Sequence, residues 1–202
     1  MIIFSRLILL MSLLLVAGCS LTPASDPITT LTLKATPTIN SQITPLNMSL
    51  RINKPNASGY LASARILVMT DNHQLSLYKG AQWNETTPLL IRNHLMDSFR
   101  QTNVISFIST DDKRLAASVE LDSDLRAFQL EYQQGKPVIL IKLVVRLIDA
   151  NQKRIIANQT FTQSIDASSS ELNSVVDAFA HAQNSLSQSV VVWTQQVLSQ
   201  AL

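Results

Sequence analysis

Cysteine occurs once in the 202 residues, at Cys19. No internal disulfide can brace the fold, and no cysteine-based metal set can form. Histidine is nearly as scarce. His73, His94 and His181 stand far apart, none at ligand spacing with another, so a zinc site is not expected. Of the four glycines, Gly59, Gly80 and Gly135 are isolated, which excludes a glycine-rich phosphate cradle. The serine-rich runs contain no nucleophile-elbow pattern. Charged residues make up only 15% of the chain, with a formal net charge of +2. That excludes the basic stripe of a nucleic-acid binder and the polybasic patch of an electrostatic membrane binder. Asp122 and Asp124 lie two apart in what reads as a bulge-like break, more readily a solvated turn than an acid/base pair. The residues give an enzyme nothing to work with.

Long apolar runs are also missing, except near the start. Leu7 to Val16 forms an apolar stretch of about ten residues behind Arg6, followed by the small residues Ala17 and Gly18. This is the layout of a secretory signal. It is too short for a hydrocarbon core of ~30 Å, which needs roughly 20 residues. Leu15-Val16-Ala17-Gly18-Cys19 resembles the lipobox of bacterial lipoproteins, in which lipid is attached to the Cys thiol before cleavage just ahead of it. The resemblance implies a signal peptide over residues 1–18. It also implies diacylglycerol on the Cys19 thiol, an N-acyl chain (palmitate or similar) on its amine, and no other cofactor. Acylation would remove the lone thiol from an oxidising compartment. Ser20, rather than Asp, follows the sorting habit of outer-membrane lipoproteins. Without residues 1–18 the chain keeps 15 bases against 14 acids, so the lipid does the anchoring.

Residues 19–45 read as a lipidated N-terminus and tether, rich in Ser, Thr and Pro, with Thr30 to Lys34 alternating enough to tack a short strand onto the domain. Residues 46–202 read as one domain. Asn47 to Asn53 alternates as a strand, and Arg65–Thr70 and Gln74–Tyr78 form a hairpin around Asp71-Asn72-His73. Asn84 is a candidate N-cap for a helix over about 85–101, where Ile91, Leu95 and Phe99 recur every four residues. Val104–Ile108, Ala117–Leu121 and Arg126–Tyr132 read as strands, the last two separated by a bulge at 121–124. Val138–Ile148 and Lys153–Ile165 complete a three-stranded meander. From Glu171 onward, Leu172, Val175, Phe179, Ala182, Leu186, Val190, Trp193 and Val197 mark one long helix, with a break expected, if any, near Asn184-Ser185. The predicted fold is α+β, an antiparallel sheet with one mid-chain helix and a long C-terminal helix packed on it.

Tyr60-Leu61, a strand pair ending in Tyr78, Trp83 before a helix, Leu125 with Phe128, two further strands and a final helix resemble the ABC-type transport auxiliary lipoprotein family. Its best-known branch is the PqiC-type intermembrane transport lipoprotein. The resemblance spans about residues 47–200. It implies a non-enzymatic lipoprotein on the periplasmic face of the outer membrane. Such a protein would be auxiliary to an MCE/ABC-type (mammalian cell entry) intermembrane phospholipid transport system. Its partners would be an MCE-domain periplasmic protein and an ABC permease/ATPase complex, with nucleic acid excluded. Tyr60, Leu61, Tyr78 and Trp83 are the expected partner-binding surface, because exposed aromatics near a loop favour partners. The uncharged polar face of the last helix is a candidate homo-oligomer or partner interface. Two other readings stay open: a small apolar-ligand or lipid carrier, and a structural envelope-assembly lipoprotein.

Overall fold

The computed structural model describes residues 27–33, 45–72 and 74–200. The expected signal, Cys19, most of the tether and His73 lie outside them. Eight strands are described: β1 Thr29–Leu31, β2 Leu46–Ile52, β3 Arg65–Met69, β4 Leu75–Trp83, β5 Ile105–Thr110, β6 Val119–Gln133, β7 Lys136–Asp149 and β8 Arg154–Asp166. Two α-helices, α1 Thr87–Thr102 and α2 Leu172–Gln200, accompany them, with a 3-10 turn at Gly59–Ala62. The α+β class and both helices stand as expected from sequence. The short strand expected at Thr30 to Lys34 is shorter and starts earlier, as β1 at Thr29–Leu31, and Lys34 lies outside the described residues.

The long hairpin pair organises the sheet. β6 pairs with β7 along its whole length, and β7 with β8, all antiparallel. The opposite edge of β6 is shared. Its start pairs with β2 through Leu50–Val119 and Ile52–Leu121, and its end with β3 through Leu67–Gln129 and Met69–Glu131. The sheet therefore forks, with β2 and β5 on one branch and β3, β4 and β1 on the other. Between the branches Asn56 bridges the gap: its N–H donates to Ser123 O at 2.8 Å and its carbonyl accepts from Leu125 N–H at 2.8 Å. The sheet is mixed rather than wholly antiparallel. β2 runs parallel to both β5 and β6, β3 to β6, and β1 to β4. Each parallel pair requires a crossover, and α1 lies in the connection that carries the chain from β4 on one branch to β5 on the other.

The expected break at 121–124 is absent. Residues 119–133 form one continuous strand, and the register slips later, between Leu125 and Ala127. Thr86 rather than Asn84 takes the N-cap position of helix α1, without a side-chain cap hydrogen bond, and Pro88 sits in the first turn, where its missing N–H costs nothing. Helix α2 runs unbroken through Asn184-Ser185. Both helices cover the same face of the sheet. One hydrophobic cluster joins Leu50, Ile66, Leu121, Phe128, Ile141, Leu143 and Phe161 of the strands to Leu95 and Phe99 of α1 and Phe179, Leu186 and Val190 of α2. The other face carries the charges.

Candidate functional surface

The four aromatic and apolar residues expected to share a surface are dispersed by the fold. Tyr60 lies in the 3-10 turn at the fork and is 56% exposed. The turn is held from below: Ser63 Oγ donates to Tyr60 O at 2.7 Å, and Thr87 Oγ1 donates to Ser63 O at 2.9 Å. Leu61 is half-buried against the core. Tyr78 lies elsewhere, near the start of α2, where its hydroxyl donates to Ser170 O at 2.9 Å and Tyr132 OH donates to Ser170 Oγ at 3.0 Å. Burial, then neighbouring Tyr132 and Glu171, push the Tyr78 phenol above its usual pKa. Trp83 is not on the surface. At 1% exposure it meets Phe128 and Phe179 edge-on at 6.0 and 5.1 Å, so it holds the core and offers a partner nothing. The two ends of β4 face different surroundings: of the four, Tyr60 is exposed, Leu61 and Tyr78 are half-buried, and Trp83 is buried.

Asp122 and Asp124 are strand residues, not a solvated turn. Both point to the helix-free face and meet Arg146 of β7. The guanidinium donates from Nε and Nη2 to Asp122 Oδ2 at 3.0 and 2.7 Å, and from Nη1 to Asp124 Oδ2 at 2.9 Å. Arg126 adds a contact to Asp124 at 3.3 Å. The hydrogen bond from Arg146 holds the Asp124 carboxyl below the usual range, and the two carboxylates push the guanidinium pKa up. Arg51 and Glu120 form a second pair on this face, with Asn53 Nδ2 donating to Glu120 at 3.0 Å. Both aspartates are matched by guanidinium groups, which fits a brace across the fork rather than acid/base chemistry. Removing the guanidinium leaves two like charges two residues apart. Arg146→Ala is therefore expected to lower unfolding free energy by about 1–3 kcal/mol in urea titrations. Adding Asp122→Asn should recover part of that loss.

Buried polar groups also tie the helices together. His94 of α1, 6% exposed, donates from Nε2 to Asn184 Oδ1 of α2 at 2.8 Å. Burial lowers the imidazole pKa below 6.5, against the smaller opposing influences of Asn184 and Asp97. The folded chain then binds this proton less readily than the unfolded chain. Its contribution is complete above the unfolded pKa and is lost as pH falls through the folded one. The melting temperature is expected to drop between pH 7 and pH 5, and to drop less in His94→Gln.

The groove beside the last strand and helix is largely polar, where a lipid carrier would need it apolar. This groove, of about 640 Å³ between β8 and α2, is lined by Gln159, Thr160, Gln163, Ser185 and Ser189 as well as Phe161 and Trp193. Among the described residues no group of His, Cys, Asp and Glu could hold a metal, and no helix is long and apolar enough to cross a membrane.

A forked mixed sheet covered on one face by two helices, with a packed core and a polar outer face, defines a class of small α+β domains. The chain belongs to the family of ABC-type transport auxiliary lipoprotein components, which matches residues 30–191. Membership makes it a lipoprotein of a transport system and sets it in the cell envelope. A crystal structure of a protein from Xanthomonas campestris shares the fold with a TM-score of 0.75 at 24% identity, covering 86% of this chain and 98% of that one. A second structure, of an uncharacterised protein, matches with a TM-score of 0.61 at 16% identity over 77% and 97% of the two chains. No curated protein matches the chain.

Proposed function

We propose that this chain is a non-enzymatic lipoprotein, acylated on Cys19 and held on the periplasmic face of the outer membrane. There it would dock an MCE-domain partner of an ABC-type system that moves phospholipid between membranes. The observation that carries this reading is the closed core. Trp83, Phe128 and Phe179 pack ring against ring between sheet and helices, the last two stacked at 4.9 Å, where a carrier would keep space for an acyl chain. What remains for function is surface and anchor. Tyr60, with Leu61 behind it, is the part of the expected contact that faces outward, on a turn braced by Ser63 and Thr87.

The test is co-expression of the domain with an MCE-domain protein of the same organism, capture of one by the other, and outer-membrane permeability in a deletion strain. Capture weakened by Tyr60→Ala, together with increased permeability in the deletion strain, is the expected result. No complex and unchanged permeability would sink the reading. Lipid extracted with the delipidated domain would favour the carrier reading instead.

A further inference from the structure

β1 is the first described segment to join the sheet, and its register records the direction from which the chain arrives. Thr29 lies opposite Ala81 and Leu31 opposite Trp83, with the strands parallel. Going back from Thr29 to Pro27 therefore leads along β4 toward Leu75 and the β3–β4 turn. Other features gather at that end. Met69 pairs with Leu75 on one side and Glu131 on the other. Gln133 faces Lys136 across the β6–β7 turn, and Val138 faces Asp166 at the close of β8. Tyr78 and Tyr132 tie Ser170, just before α2, to the same place. One pole thus holds Asp71-Asn72, Gln134-Gly135 and the entry to α2. The opposite pole holds the β7–β8 turn, the start of β2 and the end of α2, where Met48, Asn151 and Leu198 share a cleft.

Chain length then limits which pole can meet lipid. Pro27 follows Cys19 by eight residues, a reach of at most roughly 26–29 Å. Pro27 stands level with Lys79, six or seven residues short of the β3–β4 tip, roughly 20 Å at ~3.3 Å per residue. With the Cys19 acyl chains in the bilayer and β4 directed at it, no more than about 10 Å of slack separates this tip from the headgroups. In the other direction Asn151 lies roughly 30 Å up the long hairpin and about 19 Å across four strand spacings, beyond the reach of the tether.

We propose that the bilayer surface is the partner of the near pole. The domain stands with Asp71-Asn72, Gln134-Gly135 and the α2 entry against the headgroups, and with the β7–β8 turn directed away. This rests on acylation of Cys19, and it deepens that reading by giving the domain one orientation where a free tether would allow many. The chemistry of the pole suits a headgroup layer. Two cations, Lys79 and Lys136, stand against three acids, Asp71, Asp166 and Glu171, all exposed, among exposed Gln133, Gln134, Ser168 and Ser170. Contact is enforced by the short tether rather than by charge.

Because Cys19 is the only native cysteine and its thiol would be acylated, Asn72→Cys or Asn151→Cys in the full chain supplies a single reactive thiol. Each is labelled with a fluorophore in vesicles of phosphatidylethanolamine and phosphatidylglycerol carrying a headgroup quencher. The label at residue 72 is expected to be quenched at least threefold more than that at 151, and a 15-residue Gly-Ser insertion after Asp26 should collapse the contrast. Equal or reversed quenching in acylated, floating protein would overturn the orientation alone. A contrast that survives the insertion would overturn the tether as its cause. Protein whose intact mass lacks acyl chains, and which fails to float, would overturn the anchor reading beneath it.

Discussion

Trp83→Ala is expected to cost about 3–5 kcal/mol of unfolding free energy, the range for deleting a fully buried large aromatic side chain. Domains of this size commonly hold only 5–15 kcal/mol in total. The variant should therefore unfold at far lower denaturant and melt about 10 °C or more below the parent. Three elements meet at this side chain. It ends β4, and it contacts Phe128 of β6 edge-on and Phe179 of α2 almost perpendicularly. Deleting it opens a void on both aromatic partners at once, and neither can move without shifting a long strand or a long helix. Trp83→Phe restores most of the ring. The indole Nε1 has no acceptor among the described residues, so losing that N–H forfeits little, and about 1–2 kcal/mol is expected for the smaller change. Equilibrium urea unfolding followed by far-UV circular dichroism measures both. An alanine variant within 1 kcal/mol of the parent would mean that Trp83 is not the centre of this core.

The misplacement of Trp83 shows how far local pattern reaches. Both helices follow from 3.6-residue periodicity, because an apolar stripe is a local property. The β6–β7 and β7–β8 hairpins follow from alternation and short polar turns for the same reason. A tryptophan just before a helix is ambiguous, since its burial depends on a helix about ninety residues later that brings Phe179 against it. The parallel pairings of β2 and β3 with β6 were equally hidden. They are set by crossovers, and nothing within seven residues of β2 records which strand lies beside it.

The charged brace was lost for a sharper reason. Counting back from the β6–β7 turn, where Gln133 faces Lys136, strict pairing would set Asp122 opposite Leu147 and on the apolar side. The register slip at Leu125/Ala127 moves the count by one, and Asp122 faces Arg146. A one-residue shift exchanges the two faces of a strand. The same slip makes the aspartates part of a continuous strand, although their spacing reads as a break. The surface expected from the family resemblance was legible only in part: Tyr60 is outward, while Tyr78 is drawn to the α2 entry by Ser170.

Substituting Cys19 with Ala, in a chain exported behind an ordinary cleavable signal, is expected to release the protein from the membrane pellet to the soluble periplasmic fraction almost completely. The balance of forces is one-sided. Each buried acyl methylene contributes ~0.8 kcal/mol, so one chain binds reversibly and two or three hold the protein firmly. The domain offers little to replace them. None of its described helices can span a bilayer, and 15 bases against 14 acids after residue 18 leave no net attraction to anionic lipid. Exposed Leu75 at the near pole is a single side chain, worth about 1.5–3 kcal/mol even if wholly buried. That alone would correspond to transient contact. Cys19 precedes β1 by ten residues, and the core lies beyond it, so the released variant should keep the parent's melting temperature. Fractionation with immunoblotting, alongside a thermal melt, reads both quantities. A folded variant that still pellets with membranes would show that the domain carries its own membrane-binding surface, and the lipid would lose its place as the anchor.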